Sequence, residues 1–364
     1  MSVRDLPWIE KKIEEIDARV GAFEADPRWG NAPVLQTFAG NNLYTDVRTS
    51  ERSFAVQMES IETTLKAKTD WMPFLEPWHG VGVYANLFGC PYDWELCDYP
   101  QTRYAVATAE EARRIAMPDW RKGEITRLVM ESIRYFREKV GDAIPIACTD
   151  TQSPMDTATL IWQTDSFFLA CYEEPETVHR LLGMITDVII EFSLAQLEAI
   201  GANPARPGHS ACLSRPRGRS AGIGLSDDLA TVVSPAIYET FSRPYNERIA
   251  AALGGVVIHS CGAWHPKIIA AVLATEGLGG VELALSKDDD PTPSKPETVR
   301  DGFAGSGVIV KARVGKDFMG TVERAYRRDF LFVPQIAWDD DPVRRDANYE
   351  RLRERMKEME SGER

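Results

Sequence analysis

The last hundred residues of the sequence repeat one pattern, a helix followed by a short apolar strand. Helical patterns are predicted at 265–275, 295–303, 317–328 and 343–359, and strands begin near 256, 280, 308 and 330. Connections this short between alternating helices and strands are typical of a parallel sheet. Further apolar runs near 34, 72, 144 and 203 bring the strand count to eight, the number found in a (β/α)₈ TIM barrel. We therefore expect an α/β protein with this architecture.

The amino-terminal segment has a different pattern. Apolar residues recur at helical spacing over residues 6–24, and turn-forming residues follow at 26–33. No Pro/Gly/Ser-rich linker divides the remaining chain. We expect a single domain over residues 1–364, with residues 1–32 as a helical extension of the barrel.

Composition limits the classes of partner. The net charge of −13 and the absence of a basic stripe argue against a nucleic-acid surface and against binding to an anionic membrane. No apolar run is long enough to cross a bilayer, and the first residues have no signal-peptide core. The six cysteines are scattered in a large chain, which favours reduced thiols and a cytoplasmic location.

The strand that begins near residue 256 ends in His259-Ser260-Cys261-Gly262. Side chains two residues apart on a strand point to the same face, so His259 and Cys261 are expected to lie together. An imidazole and a thiolate are good zinc ligands. The alternative is a neutral, hydrogen-bonded histidine beside a small buried cysteine in the core.

Other candidate residues lie at strand ends or in loops. Glu76 and His79 follow the second strand and could transfer protons, or form a structural hydrogen bond. Helix capping or bracing of the loop explains the presence of one of the two adjacent aspartates, Asp227 and Asp228. We assign the catalytic role to Asp228. Three further residues are candidates for substrate binding: Asp150, Arg215 in the locally basic segment 202–225, and Trp264.

The order of these motifs resembles the uroporphyrinogen decarboxylase superfamily, which also includes zinc-dependent methyltransferases that work with corrinoid proteins. The resemblance covers roughly residues 140–285 and rests on Glu174-Pro175-Glu176-Thr177-Val178, Leu225-Ser226-Asp227-Asp228, Val233-Ser234-Pro235-Ala236-Ile237-Tyr238-Glu239, Arg243-Pro244-Tyr245, Ile258-His259-Ser260-Cys261-Gly262 and Gly277-Leu278-Gly279-Gly280. Within this superfamily, the combination of the Ser234-Pro235 motif with the His259-x-Cys261 motif favours the methyltransferases.

The decarboxylase pattern is incomplete in this sequence. The resemblance implies an arginine-rich amino-terminal segment, an aspartate after the second strand, a tyrosine and a late histidine. Here the arginine segment is missing, Glu76 replaces the aspartate, Leu160 lies near the tyrosine position, and no histidine follows His265. Decarboxylation of uroporphyrinogen is therefore not expected.

The methyltransferase pattern fits better but lacks one ligand. The resemblance implies a zinc site formed by His-x-Cys, a glutamate about twenty residues later and a late cysteine. His259, Cys261 and Glu282 fit, whereas Gln335 or Ile336 takes the place of the late cysteine. Cys148 or the substrate itself could complete the metal sphere.

The sequence thus predicts a zinc-dependent methyltransferase that moves a methyl group between a small methylated compound or thiol and a corrinoid. The corrinoid would be carried by a partner protein, because the chain has no Asp-x-His-x-x-Gly cobalamin-binding segment. The resemblance also implies a homodimer. Two alternatives stay open: a decarboxylase or lyase acting on a small acidic molecule through Glu76, His79 and the arginines, and a non-catalytic relative that binds a ligand.

Overall fold

The computed structural model describes residues 6–38, 47–95, 99–205 and 222–362. Five parallel strands form a continuous sheet in chain order: β3 (Ile223–Ser226), β4 (Val256–His259), β5 (Leu278–Ala284), β6 (Ile309–Arg313) and β7 (Phe332–Gln335). A separate antiparallel hairpin pairs β1 (Tyr92–Asp93) with β2 (Gln101–Thr102). The alternation of these parallel strands with helices is the one predicted from the sequence.

Short extended segments close this sheet into a ring. Leu35 pairs with Gln335 of β7, and the amide of Asp70 donates to the carbonyl of Val34 at 3.0 Å. Leu75 then pairs with Ile146. The ring confirms the predicted (β/α)₈ barrel, although only single bridges, rather than regular ladders, join its first strand positions.

The fourth position of the barrel is built from two segments. Ile146 pairs with Pro204, and Gln152, further along the same extended segment, pairs with Ser226 of β3. The sequence interpretation placed the fourth strand near 203 and did not count Ile223–Ser226, which is the regular part. Gly222 begins that second segment at φ +68°, and a Cβ there would lie 2.2 Å from the carbonyl oxygen of Gly255. Glycine is therefore required where the two neighbouring backbones meet.

Helices surround the barrel. Their bounds are α1 Leu6–Ala25, α2 Ser50–Leu65, α3 Val83–Leu87, α4 Ala109–Arg113, α5 Glu124–Val140, α6 Pro154–Ile161, α7 Thr164–Glu173, α8 Pro175–Ile200, α9 Pro235–Phe241, α10 Arg243–Leu253, α11 Pro266–Leu273, α12 Pro296–Phe303, α13 Phe318–Ala325 and α14 Pro342–Ser361. Two helices that the sequence predicted as continuous, at 155–171 and 234–252, are each divided into two. In the second case the new helix begins at Arg243 with Pro244 in its first turn, because proline cannot donate the hydrogen bond that would continue the old helix.

The amino-terminal extension packs onto the barrel through one apolar stripe. Ile9, Ile13, Ile16, Val20 and Phe23 of α1 are all buried in the main core, as their spacing predicts. Asp70, also buried, accepts hydrogen bonds from the amide of Val34 and from Tyr349 of α14. Within the described ranges, no helix is long and apolar enough to cross a membrane.

Candidate functional site

Strand register brings the polar side chains of three strands together. His259 on β4 is paired with Glu282 on β5, which is paired with Lys311 on β6. Residues paired in a parallel sheet point to the same face, so these side chains form one row. Arg313 lies two residues further along β6, and Cys261 lies two residues beyond the end of β4. Both are therefore at the carboxyl ends of the strands, where barrel enzymes place their active sites.

The imidazole of His259 has a different partner on each nitrogen. Nδ1 forms a hydrogen bond with the Glu282 carboxylate, and Nε2 lies 3.6 Å from Sγ of Cys261. The amide of Cys261 donates to Oδ1 of Asp228 at 2.6 Å. One ligand atom from each of Asp228, His259 and Cys261 lies within 4.8 Å of the other two. The structure thus groups a nitrogen, a sulfur and an oxygen donor around one point.

Burial and the neighbouring charges shift the pKa values of His259 and Glu282 in opposite directions. Burial alone would lower the pKa of His259, but the Glu282 carboxylate raises that pKa to about 10. Burial would raise the pKa of Glu282, but His259, Lys311 and Arg313 hold it well below its usual value. In the metal-free protein the two side chains are therefore a buried ion pair.

Asp227 and Asp228 have different surroundings, despite being adjacent. The fully buried carboxylate of Asp227 accepts hydrogen bonds from Ser153, Ser242 and Asn246. Asp228 instead contacts Cys261. Its backbone amide donates to Oδ2 of Asp156 at 2.7 Å. Asp227 thus braces the loop, while Asp156 fixes the start of the turn that carries Asp228.

A second acidic group lies at the ends of the second and third barrel positions. Glu76 is buried, and among the described residues its Oε1 has no hydrogen-bond partner. Burial, followed by the charge of Asp150, raises the pKa of Glu76 well above its ordinary value. Trp78 donates its indole N–H to Asp150 at 3.3 Å. The protonated form of Glu76 is therefore favoured more than in an ordinary glutamate, which suits a proton donor.

Cys148 does not join the three-donor group. It is buried, and its Sγ lies 3.9 Å from the carbonyl oxygen of Ser193. Burial, followed by the nearby Glu76, raises the pKa of its thiol to about 12. The structure therefore does not bring Cys148 to the group formed by Asp228, His259 and Cys261.

His79 and Trp264 pack in the helical layer. Nε2 of His79 lies 3.0 Å from the hydroxyl of Ser132 on α5, and burial lowers the pKa of His79 to about 4. Trp264 is buried, its ring lying 6.2 Å from that of Phe303 on α12. The structure does not bring either side chain into the group around His259. Arg215 lies outside the described residues.

Sequence reasoning missed the two cations beside Glu282. Nζ of Lys311 and Nε of Arg313 lie 4.0 and 2.9 Å from Oε1 of Glu282. A Lys-x-Arg pair at the end of a predicted strand was the available signal, because strands of a parallel sheet are buried on both faces and charged side chains are rare there.

Comparisons with known proteins identify the same superfamily that the sequence motifs resemble. Residues 80–203 match the family model described as uroporphyrinogen decarboxylase (URO-D). The uroporphyrinogen decarboxylase of Xanthomonas oryzae pv. oryzae is 28% identical over 160 residues, which are 42% of this chain and 39% of that protein. The enzyme of Xylella fastidiosa is 26% identical over the same shares. The chain thus matches about two fifths of the length of these curated relatives.

The similarity in fold to a solved structure extends over almost the whole chain. A methyltransferase from Methanosarcina mazei superposes with a TM-score of 0.65 at 17% identity, covering 94% of this chain and 99% of that one. At this identity the likeness concerns the fold. Together, the family model, the curated relatives and the shared architecture confirm the resemblance of this chain to the uroporphyrinogen decarboxylase superfamily.

Proposed function

We propose that this chain is a zinc-dependent methyltransferase that exchanges a methyl group between a small methylated compound or thiol and a corrinoid held by a partner protein. The arrangement of His259 carries the proposal. Its Nδ1 is engaged by a buried carboxylate, and its Nε2 faces Cys261 and Asp228. A histidine that ligates a metal through one nitrogen and hydrogen-bonds a carboxylate through the other is the usual pattern of zinc sites.

The three donors fit zinc in type and in number. Zinc sites that act on substrates commonly have three protein ligands of nitrogen, sulfur and oxygen type and one open position. His259, Cys261 and Asp228 would supply the protein ligands. Asp228 would replace the late cysteine that the resemblance implies, while Glu282 would orient His259 as a positioning residue. Zinc bound there would act as a Lewis acid and stabilise the anionic form of a thiol or another heteroatom.

The surrounding residues prepare this group for a ligand. Cys261 is exposed, so a small molecule can reach the donors from solvent. The amide of Gly262 donates to Oδ2 of Asp290 at 2.7 Å and holds the turn that follows Cys261. Asp156 fixes Asp228 through the backbone. The donors are therefore held by their own loops before a ligand arrives, which lowers the cost of binding.

Metal analysis tests the proposal. We expect protein purified without added zinc to contain about one zinc per chain by mass spectrometry. His259→Ala, Cys261→Ala and Asp228→Ala should each remove most of it, whereas Cys171→Ala and Asp329→Ala, at a buried cysteine and a surface aspartate elsewhere, should retain it. Folded wild-type protein without metal would contradict the proposal. Zinc-dependent demethylation of methylcobalamin by a small thiol is the matching activity assay.

A second candidate function is decarboxylation or a related lyase reaction on a small acidic molecule. It is supported by the raised pKa of Glu76, because a buried carboxylic acid beside Asp150 can donate a proton to a developing carbanion. The curated relatives that match 42% of this chain are uroporphyrinogen decarboxylases. Carbon dioxide release that needs Glu76 but persists in Cys261→Ala would favour this function over methyl transfer.

A further inference from the structure

A cavity of about 800 Å³ lies between α1 and α14, and residues 65–69 complete its lining. These residues form the turn that joins α2 to the second strand position. A turn that precedes its strand lies at the amino-terminal end of the barrel, whereas Asp228 and Cys261 follow the carboxyl ends of β3 and β4. The cavity is therefore remote from the His259 group, and its volume is in the range of pockets that hold small molecules.

The lining of this cavity is more positive than the rest of the chain, whose net charge is −13. Six lysine or arginine side chains and four acidic ones line it. Lys12 pairs with Glu15 at 2.9 Å, and Lys68 pairs with Glu350 at 2.6 Å. Within the described ranges, the ammonium group of Lys66 has no hydrogen-bond or ion-pair partner. The charge that these pairs leave over is positive.

Two arginines of the lining share a single carboxylate, that of Asp70. Arg19 donates from Nε to its Oδ1, and Nη1 of Arg353 lies 3.5 Å from its Oδ2. Arg19 also donates from Nη2 to the carbonyl oxygen of Thr69, and Arg353 from Nη1 to the hydroxyl of Tyr349. Asp70 is buried, whereas the side chains of Arg19 and Arg353 are 39% and 25% exposed. The two guanidinium groups thus keep a net positive charge at the surface of the cavity.

Several donors of these guanidinium groups are open. Nη1 of Arg19 and both Nε and Nη2 of Arg353 have no hydrogen-bond partner in the part of the chain that the structure describes. None of the three is among the buried atoms that lack a partner, so solvent reaches them. A ligand in the cavity can therefore accept hydrogen bonds from both arginines.

We propose that Arg19 and Arg353 bind the phosphate group of a small phosphorylated molecule. A phosphate monoester has three strong acceptor oxygens and close to two negative charges, and guanidinium groups bind such oxygens through paired hydrogen bonds. A carboxylate, with two oxygens and one charge, would satisfy fewer of the open donors. The remainder of the molecule would contact the apolar part of the lining, formed by Trp8, Ile16 and Leu65.

The proposed ligand would join the first and the last helix of the barrel. Arg19 belongs to α1 and Arg353 to α14, so one phosphate held by both would cross-link the amino-terminal extension to the final helix. A ligand that binds only the folded protein raises its stability. We therefore expect this site to stabilise the fold, separately from any chemistry at the carboxyl ends of the strands.

Calorimetric titration with phenyl phosphate tests the proposal, and benzoate is the probe with the same ring but a carboxylate. We expect the wild type to bind phenyl phosphate about tenfold or more tightly than benzoate, because the phosphate makes more charge-assisted hydrogen bonds. Arg353→Lys keeps the charge beside Asp70 but loses the guanidinium fork, and should weaken phenyl phosphate binding about tenfold. Lys66→Gln, at a cation without a partner, should weaken it without disturbing the fold. Lys11→Gln, at an exposed lysine of α1 outside the cavity, is the matched control.

Two results would overturn the proposal. One is phenyl phosphate that binds no more tightly than benzoate, and the other is binding that is unchanged in both Arg353→Lys and Lys66→Gln. Inorganic phosphate should compete with phenyl phosphate, and a failure to compete would also contradict a site built for the phosphate group. Because the cavity is remote from His259, these results do not depend on whether the purified protein holds zinc.

Discussion

Glu282→Gln removes the charge that holds His259 while keeping a hydrogen-bond acceptor of the same size. The carboxylate is nearly fully buried, only 2% exposed, and is surrounded by His259, Lys311 and Arg313. In metal-stripped protein we expect the substitution to lower the free energy of unfolding at pH 6 by about 3–5 kcal/mol, because it leaves buried cations without their partner.

The raised pKa of His259, in which Glu282 is the largest favourable cause, gives a value of the same order. A pKa of about 10 in place of the ordinary 6.5 corresponds to about 5 kcal/mol of favourable interaction with the protonated imidazole. This stabilisation is complete below pH 6.5 and is lost as the pH rises through 10. The lowered pKa of Glu282 makes its contribution complete above 4.5 and lost only at more acidic pH. The ion pair therefore stabilises the folded protein most between pH 4.5 and 6.5.

Urea unfolding of metal-stripped wild type and Glu282→Gln from pH 5 to pH 10 measures both effects. Wild-type stability should decline between pH 6.5 and 10 in a way that the variant does not show. Glu350→Gln, at an exposed ion pair with Lys68, is the control and should change stability by less than about 1 kcal/mol. The ion-pair argument is refuted if wild type and Glu282→Gln are equally stable at pH 6.

Two further substitutions probe the second acidic group and the divided strand. Glu76→Gln should stabilise the protein at pH 7, because a raised carboxyl pKa means that stability is lost as the pH rises above 4.5 toward the folded-state value. Urea unfolding at pH 4 and pH 7 measures this, and lower stability of the variant at pH 7 would contradict it. Gly222→Ala should destabilise the protein by about 1–3 kcal/mol more than Gly89→Ala, because both residues have positive φ but only Gly222 faces a backbone clash. Thermal unfolding compares the two, and equal losses would argue against the close approach of Gly222 and Gly255.

Hydrophobic pattern predicted the barrel because most strands are buried on both faces. The runs near 256, 280, 308 and 330 became β4 to β7 with small changes in their ends. The fourth position could not be predicted in the same way, since two segments separated in sequence share it and Gly224 interrupts the apolar run of the second. Only their common pairing with residues 146–152 identifies them as one position of the barrel.

Position at a strand end did not decide which candidates share the site. His79 lies four residues beyond Leu75 of the second strand position, and its side chain contacts Ser132 in the helical layer. Trp264, only three residues beyond Cys261, is likewise packed against a helix. The direction of a side chain in the loop beyond a strand depends on backbone angles that the sequence does not reveal, whereas the alternation within a strand is fixed.

Asp228, the third donor, shows what strand register adds to a sequence motif. Ser226 is paired with His259, so Asp228 is level with Cys261, and the amide of Cys261 reaches the Asp228 carboxylate. A carboxylate in place of a thiolate leaves the charge of the donor set unchanged, since each contributes one negative charge beside a second thiolate and a neutral histidine. It is a harder ligand that donates less charge to zinc, so the ion would remain more Lewis-acidic and bind an anionic ligand more strongly. The departure from the late-cysteine pattern is therefore compatible with a working metal site, and it favours substrates that carry negative charge.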